Sequence, residues 1–130
     1  MSTVFRYGDN YDTQLVNSYA WDTTLAWLNK RVKNYSTSLN YGNYTGTIRN
    51  TGQTETDVIN NICDMSGNVR EWTTEIYKSA SEKKDNSKEN VMYRVVRGGA
   101  ASLSKTPKSH IGYTEVTSDT YWGFRTILYK

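Results

Sequence analysis

A chain of 130 residues is the size of one domain with one core, and its single cysteine permits no internal disulfide. Sixteen basic against 13 acidic residues leave a net charge of +3 with no dense basic run, which excludes the clustered field that nucleic-acid binding needs. No apolar run nears the roughly 20 residues that span a bilayer, and no signal-peptide pattern opens the chain. Aromatic usage is lopsided, with 11 Tyr and 4 Trp against 2 Phe. Side chains with an apolar body and a polar tip suit contact surfaces as well as cores.

In chain order, Val4–Tyr7 is predicted as a short first strand, followed by a turn at Gly8-Asp9-Asn10. Asn17–Lys33 is the strongest helix. Asn17 or Ser18 can cap it, and Trp21, Leu25 and Leu28 recur at i, i+4 and i+7. Ala20, Thr24 and Trp27 widen that stripe, while Asp22, Asn29, Lys30 and Lys33 stay solvated. The basic residues gather at the end that the helix dipole favours. An aromatic stripe at this spacing is core, so this helix is read as structural. Tyr35–Thr56 is rich in Asn, Tyr, Thr, Ser and Gly and reads as a long loop with an ordered stretch around Tyr44–Ile48. Two glycosylation sequons fall there, at Asn34 and Asn43, and are set aside because three-residue matches arise readily by chance.

Val58 and Ile59 are expected to pack on Ile62, at the start of the block NNICDMSGNVREW (Asn60–Trp72). Ser66-Gly67-Asn68 allow a tight reversal there, after which the alternation Val69, Glu71, Thr73 predicts a strand. Lys78–Asn90 is hydrophilic and predicts an exposed hairpin-type loop between the two blocks. A second block, YRVVRGGAAS (Tyr93–Ser102), follows: Val91–Val96 reads as a strand that stops at Gly98-Gly99. Ala100–Tyr121 has no period, and Trp122–Leu128 predicts a closing strand in which Gly123 allows a bend.

The wording CDMSGNVREWT, then YRVVRGGAAS, then WGFR resembles the formylglycine-generating-enzyme domain, whose usual pattern is close to YDMAGNVWEW, RVLRGGSW and GFR. Asp64, Met65, Gly67, Asn68, Val69, Glu71 and Trp72 stand where that pattern puts them, as do Arg97, Gly98, Gly99, Gly123, Phe124 and Arg125. The helix around Ala20-Trp21-Asp22 is similar to the family's EAEWEYA helix. Cys63 replaces a usual Tyr, and Arg70 a usual Trp. The resemblance implies an α+β, C-type-lectin-like single domain over residues 1–130: a scaffold at 1–99, a segment at 100–122 and a closing strand at 123–130.

It also frames the chemistry. Family members that oxidise a substrate cysteine carry a copper-binding cysteine pair beyond the RGG block, and Ala100–Tyr121 contains no cysteine. Iron-dependent relatives draw their ligands from a histidine-rich domain, whereas His110 is the only histidine here. Ser109, His110 and Asp119 would make a triad by sequence proximity alone. The expectation is therefore no enzyme and no cofactor, with calcium at Asn68 and Glu71 as an option. Arg97 and Arg125 are expected to act internally, tying down carbonyls or Glu71.

A second branch that shares these motifs, the variable proteins of diversity-generating retroelements in phages and bacteria, is the closer resemblance. It implies that Ala100, Ala101, Leu103, Lys105, Ser109, His110, Ile111, Tyr113, Glu115, Thr117, Asp119, Tyr121 and Trp122 are diversified ligand-binding positions, flanked by Tyr41–Thr47. The physical logic is that of an antibody loop on a rigid frame. The expected partner is a protein or glycan on a cell surface, met from a virion or bacterial surface, with neither nucleic acid nor membrane insertion. The alternatives are a minimal formylglycine-generating-type oxidoreductase and a phage decoration or tail module.

Overall fold

The computed structural model describes residues 5–6, 12–82, 88–114 and 117–129. Two strands, β1 (Phe5–Arg6) and β2 (Asp12–Leu15), precede the helix α1 (Ser18–Asn29). Asn17 sits extended at the helix start, and its Oδ1 accepts the Ala20 N–H at 2.7 Å, satisfying one of the free donors of the first turn. The predicted stripe is the buried one: Trp21, Leu25 and Leu28 pack with Val16, Tyr35 and Met65, and Ala20, Ile62 and Ile127 close the margin. The helix is shorter than expected and has no basic residue in its last turn, because Lys30 is already its C-cap and Lys33 lies beyond. Trp27 leaves the stripe for the surface, where the Arg31 guanidinium stacks 3.4 Å from its ring centre.

The stretch predicted as a long loop is held by side-chain bonds to backbone. Asn43 is 1% exposed and pairs in a single bridge with Gly67. Gly67 has φ +71°, and a Cβ there would fall 2.3 Å from the Asn43 carbonyl, so only glycine fits. β3 (Val58–Ile59) and β4 (Ile62–Cys63) then form a hairpin that sets Ile59 opposite Ile62. Asn60 and Asn61 both take positive φ in its turn, the conformation that a two-residue hairpin of this hand requires.

The main sheet is built from β5 (Arg70–Glu82), β6 (Lys88–Arg97), β7 (His110–Tyr113) and β8 (Trp122–Phe124) in the order β7-β6-β5-β8, with β8 parallel to β5. The hairpin-type loop expected at Lys78–Asn90 is shorter than that: the antiparallel ladder continues into it as far as the pairing of Glu82 with Lys88. A hairpin needs no apolar residues to pair its backbone, so the polarity concealed how far the strands extend. A bulge between Trp72 and Ile76 interrupts this ladder. The Thr73 hydroxyl, fully buried there, donates to the Val95 carbonyl at 3.0 Å.

The predicted closing strand is two strands. β8 ends at Phe124, Arg125 intervenes, and β9 (Thr126–Tyr129) pairs with β2 in a second sheet of order β1-β2-β9. The Val16 N–H to Arg125 carbonyl and Thr74 N–H to Val16 carbonyl bonds tie the two sheets together. Val4, Tyr7 and the predicted Gly8–Asn10 turn lie outside the described residues.

Candidate functional site

The frame beneath the segment after Gly99 is made of charged pairs. Glu71, 5% exposed, accepts from Arg125 through Nε and Nη2, each at 2.8 Å, in a two-pronged pair. The same Nη2 donates to the Cys63 carbonyl at 2.7 Å. Burial pushes the Glu71 carboxyl above its ordinary range against the pull of Arg125. Burial also raises Asp64, against the N–H it accepts from Gly52. Arg125 thus has the internal role expected of it, while Arg97 turns to the helix and pairs with Asp22.

The segment itself is anchored through its backbone. Gly99 has φ +78°, and a Cβ there would fall 2.4 Å from the Lys105 carbonyl. Ala101 donates to the Asn68 carbonyl and accepts from Gly46, both at 2.9 Å. The Tyr44 hydroxyl donates to the Lys105 carbonyl at 2.7 Å, and the Lys108 N–H to the Ser36 carbonyl at 3.1 Å. From the core, the buried indole N–H of Trp21 reaches the Pro107 carbonyl at 3.0 Å. At the far end the Arg70 N–H donates to the Tyr121 carbonyl, and the Tyr121 hydroxyl to the Gly46 carbonyl.

These anchors divide the thirteen positions read from sequence. Ala100 and Ala101 are 0% and 2% exposed, so their assignment as contact residues is corrected: they are packing residues beneath the surface. Leu103 is half-buried and closes a small bridge with Ala100. Lys105, His110 and Asp119 are exposed, and Ser109, Ile111, Tyr113, Thr117, Tyr121 and Trp122 are half-buried. Glu115 lies outside the described residues.

Strand alternation splits this set further. Ile111 sits opposite Val96 and Tyr113 opposite Arg94, on the face that also carries Arg70, Trp72 and Trp122. There the Trp122 ring lies 4.7 Å from Tyr113 and 4.8 Å, edge-on, from Trp72. Arg70 is set among them: its Nη1 donates to the Tyr113 hydroxyl at 2.6 Å, and Nη2 stands 3.7 Å from Asp119. His110 lies opposite Arg97 on the other face. It shares with Lys108, Asp22, Glu75 and Arg97 a polar cleft of about 420 Å³. The residues that sequence reasoning missed here are Arg70 and Trp72; Tyr44 lies in the Tyr41–Thr47 stretch expected to flank the surface. Arg70 had a signal, a cation where the resembling pattern carries Trp.

The metal options meet these residues poorly. The Asn68 Oδ1 already accepts from Asn43 and from the Arg49 N–H, and both Glu71 oxygens are held by Arg125. A calcium ion at these two side chains would compete with the bonds they already make. A copper ion held by two thiolates does not fit a chain with one cysteine.

An α+β domain built on a buried Glu–Arg pair and a Gly-Gly corner defines the class. Comparison with known proteins agrees: the sulfatase-modifying factor enzyme 1-like domain matches residues 5–129, and the chain belongs to that family. No curated protein and no solved structure matches it.

Proposed function

We propose that this domain is a non-catalytic ligand-binding protein, a C-type-lectin-like frame whose changeable surface lies in residues 102–122. One observation carries the reading. The backbone of this segment is tied to groups outside it at Lys105, Pro107, Lys108 and Tyr121, which bond to Tyr44, Trp21, Ser36 and Arg70, while Ser102, Ser104, Lys105, Lys108 and His110 are exposed. Side chains arranged this way change identity without disturbing the fold, which is what a diversified recognition surface needs. The 41–47 loop belongs to the same surface through Tyr44 and Gly46. In this reading the ligand is a protein or glycan on a cell surface, and the domain is a retroelement-diversified variable protein of a phage or bacterium.

The test replaces Ser104, Lys105, Lys108 and His110 by Ala, singly and together, and screens glycan and protein arrays. Each single variant keeps its stability within about 0.5 kcal/mol, and the combined variant loses the unmodified protein's binding. Intact binding by a folded combined variant refutes the surface. Turnover of a thiol peptide by the domain supplied with copper or iron refutes the non-catalytic reading. The retroelement assignment stands or falls on an adenine-altered copy of the coding stretch for residues 100–121 beside a reverse transcriptase gene.

A further inference from the structure

Two clefts meet at the start of β7. The first, of about 420 Å³, is walled by Ser18, Tyr19 and Asp22 of α1 and by Glu75 and Arg97 of the main sheet. The second, of about 330 Å³, is lined by Lys105, Ser109 and Ile111. Lys108 and His110 line both, so the two clefts adjoin along these side chains. β7 is an outer strand of the sheet, and a cleft at its edge therefore meets His110 from one face and Ile111 from the other. Both volumes fall in the range of small-ligand sites, about 300–1,000 Å³.

Their chemistry differs. In the first cleft Asp22 pairs with Arg97, and the Ser18 hydroxyl donates to Glu75. Its two carboxylates stand against a guanidinium and an ammonium, so the lining is near charge balance. An anion entering it meets Asp22 and Glu75, and a cation meets Arg97 and Lys108. A neutral ring bearing hydroxyls uses both kinds of partner, because each hydroxyl donates and accepts. Tyr19, 83% exposed, adds a flat apolar ring with a polar tip, against which the C–H face of a sugar packs. The second cleft is cationic: Lys105 and Lys108 bring two ammoniums, and no carboxylate lines it. Among the described residues the ion pairs are made by Arg49, Arg70, Arg97 and Arg125, and no carboxylate engages either lysine.

With the 102–122 stretch taken as the recognition surface proposed above, we infer that its paired clefts bind an acidic glycan. A neutral ring sits in the first cleft against Tyr19, and the carboxylate or sulfate of the adjoining ring meets Lys105 and Lys108 in the second. Short immobilised oligosaccharides in three forms, neutral hexose, hexuronate and O-sulfated hexose, are presented to the whole domain. Hexuronate or sulfated chains bind at least about tenfold tighter than neutral ones, and which of the two binds identifies the source of the anion. Tyr19→Ala, at an exposed position whose loss spares the core, weakens that binding by about tenfold. Lys105→Gln together with Lys108→Gln erases the preference for acidic chains. No binding to any of the three forms, equal binding of neutral and acidic chains, or acidic-chain binding untouched by Tyr19→Ala would each overturn the proposal. A protein partner that the combined alanine variant loses and Tyr19→Ala keeps would overturn it too, while leaving the recognition surface in place.

Discussion

Trp21 links the hydrophobic core to the display surface, and Trp21→Phe separates those two duties. The ring is fully buried, and its indole N–H meets the Pro107 carbonyl at 3.0 Å. Phenylalanine leaves that buried carbonyl unmet, at about 1–3 kcal/mol. The lost ring atoms add roughly 1–2 kcal/mol in packing and residual cavity. The sum, about 2–4 kcal/mol, is below the roughly 5–15 kcal/mol typical of a domain, so the variant still folds. Urea denaturation measures the total. Native-state hydrogen exchange locates it: the Lys108 and Ser109 amides, which donate to Ser36 and Thr106, lose more protection than the sheet amide of Val95. If all three lose protection equally, the Trp21–Pro107 bond does not hold the segment and the reasoning fails.

Gly99→Ala places a methyl 2.4 Å from the Lys105 carbonyl at φ +78°, and is expected to cost about 1–3 kcal/mol or more in denaturant unfolding; an unchanged midpoint contradicts the described corner. The Glu71–Arg125 pair breaks asymmetrically. Arg125→Ala strands a carboxylate whose side chain is 6% exposed and costs about 3–5 kcal/mol, whereas Glu71→Ala leaves a guanidinium 26% exposed that water can reach, and costs less. The reverse order in paired denaturation curves would refute that assignment. Burial holds both Asp64 and Glu71 above the ordinary carboxylate range, so the folded state binds their protons at higher pH than the unfolded chain does. Their contribution is present below the unfolded value and lost as pH rises through the folded one. Urea midpoints between about pH 4 and pH 7 therefore include a term that falls with rising pH. Glu71→Gln reduces that slope; an unaltered slope disproves it.

Much of this was legible in the residues. Asn17, Trp21, Leu25 and Leu28 announce a capped amphipathic helix, and Ser66-Gly67-Asn68 a reversal, because cap, period and turn are local properties. The family was readable from the two blocks and WGFR. What escaped depends on distant partners. Arg125 interrupts an apparently continuous strand to reach Glu71 and Cys63, which no local pattern encodes. Asn43 organises its loop through bonds to Thr47 and Asn68, leaving no periodicity to see. Ala100 and Ala101 were read as surface because they follow Gly99 in an aperiodic segment, although their small size equally suits the tight packing they occupy. Composition alone does not distinguish the two.

The split of the closing stretch at Arg125 has a consequence for biosynthesis. β8 completes one sheet and β9 the other, and β9 pairs with β2 from the opposite end of the described chain. On the ribosome, both sheets remain open along one edge until residues 122–129 have emerged. The nascent domain must therefore carry its unpaired β2 and β5 edges until that stretch is made, and a stop introduced before Trp122 would release a product with both edges exposed to aggregation.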